Sequence, residues 1–427
     1  MHIPDGYLSP VFSLAMGFLT IPTWAVAAQR VKAILNDRTI PLLAIFSALS
    51  FTIMMFNVPV PGGTTAHGVG ATLIAVVLGP WAAVIAVSVA LIIQALFFGD
   101  GGILAIFANC FNMAIVMPFV GYGVYRLLAG RSPLLDTRRA WAAGIAAYVA
   151  ITVSALLVGI ELGLQPLLFS ENGHALYSPY GLSEAIPAML LAHAFGASIV
   201  EGVITFLGVT YLQRRQPDLL LGLGSTFGTG ETAAGTPGLR PLWQVVAGTV
   251  AVALLALLAI GLVLGGGDPS QLFGADWSSV DWPAVGSMLL VTAVIFAVLV
   301  PLAYLILPRR WKRVGTAFTA IAVIAPLGLI APGFAYGEGS VDDVQAAFGY
   351  IPSGLSDLST IFSAPLGGYD LPLPWFSDAD AALWHTAIGY EIAGIIGILL
   401  CGLAVAGIAS LIRGRRGEPT ARAASSA

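Results

Sequence analysis

Long apolar stretches, repeated along almost the whole chain, constrain this sequence more than any other feature. Only 9% of its residues are charged, against roughly 25% in soluble domains. Most stretches reach the roughly 20 residues that a helix needs to cross a bilayer, where every backbone polar group must be paired internally. The sequence therefore predicts an all-α polytopic membrane protein, surrounded by lipid in the cell membrane. We read eleven spans, at 8–29, 40–57, 68–79, 81–98, 103–125, 140–158, 185–212, 242–265, 284–307, 316–334 and 384–412.

The positions of the basic residues predict how the chain is oriented. If the N-terminus is placed outside, all 18 Lys and Arg residues fall on the inner side, as the positive-inside rule expects. Many carboxylates then fall outside, including Asp5, Asp100, Glu161 and a cluster from Glu338 to Asp380. We therefore expect an outer N-terminus and a cytoplasmic C-terminus. A net charge of −4 without a basic patch gives no reason to expect nucleic acid as a partner.

Composition divides the chain into two predicted membrane modules. Residues 213–241 are rich in Gly, Thr and Pro, which is typical of a flexible linker. This cytoplasmic linker would join a seven-span module at 1–212 to a roughly four-span module at 242–412. The second module would carry a long outer loop near 335–383, and the tail at 413–427 is expected to be disordered.

The start of the chain, MHIPDGYLSP, places a histidine directly after the terminal residue. It lacks the basic and apolar regions of a secretory signal. We expect Met1 to be retained because a bulky residue such as histidine at position 2 disfavours its removal. Its α-amine, the His2 amide nitrogen and the His2 Nδ1 can close two fused chelate rings on one ion. Ni(II) and Cu(II) favour such planar nitrogen donors. His67, in the Gly-rich loop PVPGGTTAHG on the same predicted side, can supply a neutral imidazole as the fourth donor. The residues alone leave open that His2 is an exposed bystander and that His67 only packs in its loop.

Two asparagines in the fifth span are further candidates for a role at the metal site. Asn109 and Asn112 lie three residues apart on one helix face. Because buried amides in membranes generally bond across helices, we expect both to support the metal loop, with direct ligation as the alternative. The two cysteines, Cys110 and Cys401, lie in different apolar spans and form no ligand pair.

Ionisable residues inside the spans are functional candidates by default. His193 and Glu201 occur in the seventh span and Glu391 in the last span. We favour structural or partner-contacting roles for them over a proton relay. His174, in the Ser170–Pro179 loop, is either a solvated loop residue or a point of metal capture in transit.

Four blocks in order resemble the CbiM/NikM family. Members are the substrate-binding S components of energy-coupling-factor (ECF) transporters for cobalt and nickel. The resemblance covers about residues 1–212 and implies a seven-helix fold. It further implies that the metal is held by the Met1 amine, the backbone and ring nitrogens of His2, and His67. The blocks are MHIPDGYLSP at the start, FNVPVPGGTTAHGVG at 56–70, GPWAAVIAVSVALIIQALFFGDGG at 79–102, and ANCFNMAIVMPFVGYGVYR at 108–126.

Three shorter stretches resemble the C-terminal extension of the long, fused members of this family. That extension stands in for a small accessory membrane component, and the resemblance covers only part of 240–412. The stretches are PLGLIAPGFAYGEG at 326–339, YIPSGL at 350–355 and APLGGYDLP at 364–372.

The energy source is expected to be external to this chain. No GxxxxGK[ST] phosphate-binding loop occurs, so we expect a transporter subunit without its own ATPase and not an enzyme. The resemblance implies a transmembrane coupling (T) protein and a pair of cytoplasmic ATP-binding cassette ATPases as partners. A gradient-driven secondary metal permease and a non-transporting metal sensor are the alternatives.

The expected substrate is Ni(II), with Co(II) as the alternative. Four planar nitrogens suit Ni(II), whereas Co(II) prefers more ligands. The family, however, transports both metals. No organic cofactor is expected.

Overall fold

A computed structural model describes most of the chain. It covers residues 1–220 except 34, 37, 38, 61–63 and 218, then 282–306, 337–377 and 383–413, with isolated residues at 316, 319, 323 and 326. Most of the predicted linker, the spans at 242–265 and 316–334, and the tail lie outside the described residues. The same holds for the tip of the Gly-rich loop, Pro61 to Gly63.

Helices dominate the first 220 residues. The α-helices are α1 (Pro10–Lys32), α2 (Thr39–Met55), α3 (Ala71–Leu78), α4 (Pro80–Ile93), α5 (Ile106–Asn109), α6 (Met117–Ala129), α7 (Thr137–Leu168), α8 (Leu182–Ala192) and α9 (Ser198–Arg215). Three π-helical turns follow α4, α5 and α8, at Gln94–Phe98, Cys110–Val116 and His193–Ala197. Two short antiparallel hairpins pair β1 (Val58–Val60) with β2 (Thr64–Ala66) and β3 (Ser170–Glu171) with β4 (His174–Ala175).

In the described part of the C-terminal half, two long helices and several shorter ones occur. Its helices are α10 (Trp282–Ile306), α11 (Val341–Phe348), α12 (Ser353–Leu358), a 3₁₀ turn (Gly367–Tyr369), α13 (Pro374–Ser377) and α14 (Leu383–Arg413). Residues 337–377, which we call the cover segment, fall within the predicted long loop.

The helices confirm the predicted all-α, multi-pass membrane fold. Every predicted span within the described residues coincides with a helix, although α3 has only 8 residues. Seven described segments are long and apolar enough to cross a membrane: Pro10–Lys32, Pro80–Phe98, Ile106–Ala129, Thr137–Leu168, Leu182–Arg215, Pro283–Ile306 and Leu383–Leu411.

Helix α7 is longer than predicted because it continues past a charged residue. The sixth predicted span stops at 158, but α7 continues to Leu168, and Glu161 lies inside it rather than in an outer loop. The Glu161 side chain is buried and accepts a hydrogen bond from Asn112 Nδ2 at 2.8 Å. A buried polar group is tolerated when it is paired in this way, so the helix runs past it.

Glycines bring α7 close to both α8 and α9. A methyl group added at Gly144 would lie 3.0 Å from the Gly202 carbonyl oxygen, and one at Gly163 would lie 2.7 Å from Leu182 Cα. Small residues permit such close backbone approach between membrane helices. The helix pair α8–α9, which contains the His193 turn, is therefore held tightly against α7.

The first nine residues lie inside the bundle. Met1, Ile3 and Leu8 expose 3%, 1% and 2% of their surface. The carbonyl of Tyr7 accepts from the backbone N–H of Ser178 at 3.0 Å, and the Ser9 N–H donates to Gln165 Oε1 at 3.0 Å. The terminus is thus fixed by the surrounding protein.

The C-terminal half contacts this N-terminal structure directly. Helix α14 packs along α2, where the Tyr390 hydroxyl donates to the Met55 carbonyl at 2.5 Å. In the cover segment, the Gly339 carbonyl accepts from the Tyr7 hydroxyl at 2.8 Å. The cover segment therefore lies over the chain terminus.

Candidate metal centre

The terminal amine is buried next to a carboxylate from the cover segment. The Met1 nitrogen lies 3.5 Å from Glu338 Oε1, and the Met1 side chain is fully buried. The two groups are within ion-pair distance in a site that little water reaches, where electrostatic interactions are strong. Glu338 was not among the sequence-predicted residues, although it belongs to the YGEG stretch used for the family resemblance.

Asn109 holds the backbone of Ile3 by two hydrogen bonds. Its Oδ1 accepts from the Ile3 N–H at 2.8 Å, and its Nδ2 donates to the Ile3 carbonyl at 3.0 Å. The same carbonyl accepts from the Gly102 N–H at 2.8 Å. This reciprocal pairing fixes the direction in which residues 1 and 2 enter the bundle. Asn109 therefore supports the terminal segment rather than the His67 loop, which it was expected to support.

Asp5 attaches the terminal segment to the loop after α4. Its two carboxylate oxygens accept from the backbone N–H groups of Ile103 and Leu104 at 3.0 and 2.7 Å. Gly101, with φ of +88°, lies under the site, and a methyl group there would be 2.9 Å from Asn109 Nδ2. Only glycine takes this backbone conformation readily in so little space.

The His2 ring is buried between a carboxylate and a second histidine. Its Nδ1 lies 2.9 Å from Asp100 Oδ1, within ion-pair distance but without hydrogen-bond alignment. On its other side the ring stacks on His67, with centroids 4.9 Å apart and planes inclined by 28°. The structure therefore brings two of the predicted ligand side chains together, and residue 1 adjoins them.

Asp100 is itself held by two residues. The Tyr369 hydroxyl donates to Asp100 Oδ2 at 2.5 Å, and Gln94 Nε2 donates to the same oxygen at 3.1 Å. Gln94 also donates to the Tyr369 oxygen at 2.9 Å. Because Tyr369 belongs to the cover segment, the C-terminal half fixes the carboxylate that faces His2.

His67 lies just after the β1–β2 hairpin, with one ring nitrogen satisfied and one bare. Its Nδ1 lies 2.9 Å from the Gly68 carbonyl. A carbonyl can only accept, so Nδ1 carries the hydrogen and Nε2 keeps its lone pair. Within the described part of the chain, Nε2 has no hydrogen-bond partner. Such a nitrogen is ready to bind a metal.

Glu201 anchors the backbone that follows His67. Its Oε2 accepts from the N–H groups of Val69 and Gly70 at 2.7 and 2.8 Å. These groups precede α3, whose first N–H groups have no partner within the helix. Glu201 therefore positions the His67 loop, which the sequence alone did not indicate.

The charges of the site shift the pKa values of its members in opposite directions. Burial, the terminal amine and His2 hold the pKa of His67 well below its ordinary value, so its ring is neutral near pH 7. Burial alone would raise the pKa of Asp100, but the adjacent His2 ring and the hydrogen bond from the Tyr369 hydroxyl lower it overall. Burial raises the pKa of Glu338, and the amine opposes that rise in part.

Side chains alone do not form a complete metal cage here. Across the described ranges, no group of three or more His, Cys, Asp and Glu side chains has the arrangement of a metal site. A metal ion at this position would therefore need backbone nitrogen donors. The buried terminus next to two stacked imidazoles offers such donors.

The other singled-out residues lie elsewhere in the fold. Asn112 pairs with Glu161 rather than with the metal loop, and His174 is exposed against the Tyr350 ring, 4.5 Å away between centroids. The Glu391 carboxyl Oε1 has no partner among the described residues.

Comparison with known proteins places this fold among metal transporters. Residues 2–219 match the CbiM family model, described as a cobalt uptake substrate-specific transmembrane region. The chain is 35% identical over 424 residues, 96% of each chain, to the fused nickel transport protein NikMN of Rhodobacter capsulatus. It is 32% identical to the cobalt transport protein CbiM of Geobacter sulfurreducens, over 67% of this chain and 75% of that one.

A solved structure resembles half of the chain in sequence. A crystal structure of a truncated transition metal transporter is 56% identical, covers 50% of this chain and 99% of that chain, and aligns with a TM-score of 0.47.

Proposed function

The chain belongs to the long, fused form of the CbiM/NikM family of metal-uptake membrane proteins, and we propose that it captures Ni(II) for an ATP-driven importer of the ECF type. In this role it is the substrate-binding S component. A T protein and a pair of cytoplasmic ATPases supply the coupling and the energy. The relatives are transport proteins, and transport rather than catalysis is accordingly the function proposed here.

One observation carries the proposal. The buried terminus, the His2 ring and the His67 ring converge in one place, with the two rings stacked at 4.9 Å between centroids. The Met1 amine, the His2 amide nitrogen, His2 Nδ1 and His67 Nε2 would be the four donors. For His2 Nδ1 to bind the ion, it must exchange its contact with Asp100 for the metal. The carboxylate would then remain beside the ion and offset its charge.

Nickel is the preferred substrate for reasons of coordination geometry. Four nitrogens in one plane, one of them a deprotonated amide, suit Ni(II) better than Co(II). The relative that this chain matches along 96% of its length is named as a nickel transport protein. Cobalt stays the alternative because a cobalt transport protein is also similar over two thirds of the chain.

The coupling proposal is tested by reconstitution. Vesicles containing this chain alone should bind Ni(II) without accumulating it. Vesicles that also contain the T protein and the ATPases should accumulate the ion when ATP is supplied. Accumulation by this chain alone on a proton gradient would instead identify a secondary permease.

Ni(II) affinity should fall as the pH falls. Binding at the His2 amide displaces one proton at any pH in this range, so affinity should change by about tenfold or more per pH unit between about pH 8 and 6. The lowered pKa of His67 keeps its ring neutral, so that residue adds nothing to the slope near neutrality. Calorimetric titration in a series of buffers measures the effect. A flat profile would contradict coordination by the amide.

Removing one hydroxyl from the cover segment should weaken metal binding. Tyr369→Phe deletes the bond that fixes Asp100, and loss of such a supporting bond costs about 10- to 100-fold in metal affinity. The matched control is Tyr390→Phe, which removes a buried hydroxyl that bonds the Met55 carbonyl instead. Calorimetry should show a loss only for Tyr369→Phe. Equal Ni(II) affinities in the two variants would show that the cover segment does not contribute to metal binding.

A further inference from the structure

A third histidine lies beside the candidate centre and has no part in the four-nitrogen set. His193 begins the π-helical turn between α8 and α9, and this turn packs against both strands of the hairpin that precedes His67. The residue is 3% exposed.

The hydrogen bonding of His193 repeats that of His67. His193 Nδ1 lies 2.8 Å from the Met189 carbonyl. Because the carbonyl only accepts, Nδ1 carries the hydrogen and Nε2 keeps a free lone pair. Nε2 is buried and has no hydrogen-bond partner in the described part of the chain. Two neighbouring histidines thus share one arrangement, with a backbone carbonyl fixing the tautomer and Nε2 left bare.

A bare acceptor in a membrane bundle calls for a physical reason. A buried polar atom without a partner costs free energy, and an ionisable group inside a span usually serves function. The π-helical turn that contains His193 also favours a functional role for this residue, because such turns inside helices often occur at functional sites.

Metal transport supplies such a reason. A divalent ion that leaves four nitrogen donors cannot cross an apolar bundle without new ligands, because an unpaired charge there is very costly. A neutral imidazole nitrogen suits Ni(II) and already has the required protonation state. When the ion leaves, its bonds to the terminal donors break and the His2 amide regains from water the proton that it lost on binding. The new bond to the bare imidazole nitrogen forms without loss of a proton from that ring.

We propose that Nε2 of His193 is a transit ligand, which binds the metal ion after it leaves the terminal chelate. The inference rests on the proposed function because the ion must first bind at Met1, His2 and His67. It adds a second metal-contacting position, within the helix pair α8–α9. His193 is therefore expected to affect the movement of the ion and not its capture.

The test separates capture from movement. His193→Asn keeps an N–H group for the Met189 carbonyl but removes the nitrogen ligand. The substitution is placed in the native gene copy, so that the cell supplies the partners, and uptake of radioactive Ni(II) is measured. Uptake should fall by about tenfold or more, while the purified full-length variant should bind Ni(II) within about threefold of the wild type. His174→Gln, on the exposed hairpin, should change neither quantity.

Two results would overturn the inference. One is unchanged uptake in His193→Asn, and the other is a parallel loss of uptake and affinity, which would mean that His193 only shapes the terminal site. If the Asn variant does not accumulate in the membrane, His193→Gln serves for the same comparison. Failure of the wild-type chain to bind Ni(II) would instead refute the proposed function.

Discussion

Adding one residue before Met1 should abolish tight Ni(II) binding. The extension turns the α-amine into an amide and moves the free amine away from His2, so the fused chelate is lost. A loss on the order of a thousandfold, or about 4 kcal/mol, is expected for a site that relies on these donors. The amine is also buried beside Glu338, which leaves little room for an added residue. Calorimetric titration of the two chains with Ni(II) measures the difference.

The matched control adds the same residue after Ala427, at the other terminus. That chain should bind Ni(II) as tightly as the unmodified one. Removal of the N-terminal extension by a protease that regenerates Met1 should restore the affinity. Tight binding by the extended chain would exclude the terminal amine as a ligand.

Glu201→Ala should destabilise the protein and weaken metal binding together. The substitution leaves the Val69 and Gly70 N–H groups without their acceptor. Each buried donor left unsatisfied costs about 1–3 kcal/mol, so the free energy of unfolding should fall by about 2–6 kcal/mol. Because the His67 loop is then held less firmly, Ni(II) affinity should fall by about 10- to 100-fold. Thermal unfolding in detergent and calorimetry measure the two effects.

Two variants show whether the anchoring bonds are the cause. Glu201→Gln keeps one oxygen that can accept from the loop and should lose less of both stability and affinity. Glu184→Gln makes the same chemical change at an exposed position in the first turn of α8 and should leave both unchanged. Full affinity in Glu201→Ala would show that the loop holds His67 without this carboxylate.

The membrane fold could be predicted from the sequence because hydropathy reports it directly. A span reads as apolar whatever its neighbours are, and each predicted span within the described residues is helical. The predicted end of the sixth span, at 158, is wrong because the sequence analysis assigns Glu161 to an outer loop, whereas α7 continues to Leu168. The pairing of Glu161 with Asn112 is a contact between residues 49 positions apart, which hydropathy cannot reveal.

The ligand set was proposed from local chemistry, whereas its supports depend on distant contacts. His2 and His67 stand out because of an unusual terminus and a Gly-rich loop. Asp100, Glu338 and Tyr369 surround them only after the cover segment has folded back over the N-terminus. A pairing such as Tyr369 with Asp100, 269 residues apart, leaves no local pattern in one sequence.

The contacts of Glu201 could not be predicted from the sequence either. The sequence placed it in an apolar span and favoured a structural or partner-contacting role for it. In the structure it binds backbone N–H groups of the His67 loop, while His193 binds the Met189 carbonyl. Backbone partners have no side-chain signature, so the sequence could not indicate which groups the carboxylate serves.

X-ray absorption at the nickel edge of the loaded, full-length chain tests the four-nitrogen site most directly. We expect a planar, four-coordinate Ni(II) ion with nitrogen donors only, two of them imidazoles, and the loss of one imidazole in His67→Ala. Six-coordinate nickel with mainly oxygen ligands, or a spectrum unchanged in His67→Ala, would contradict this expectation.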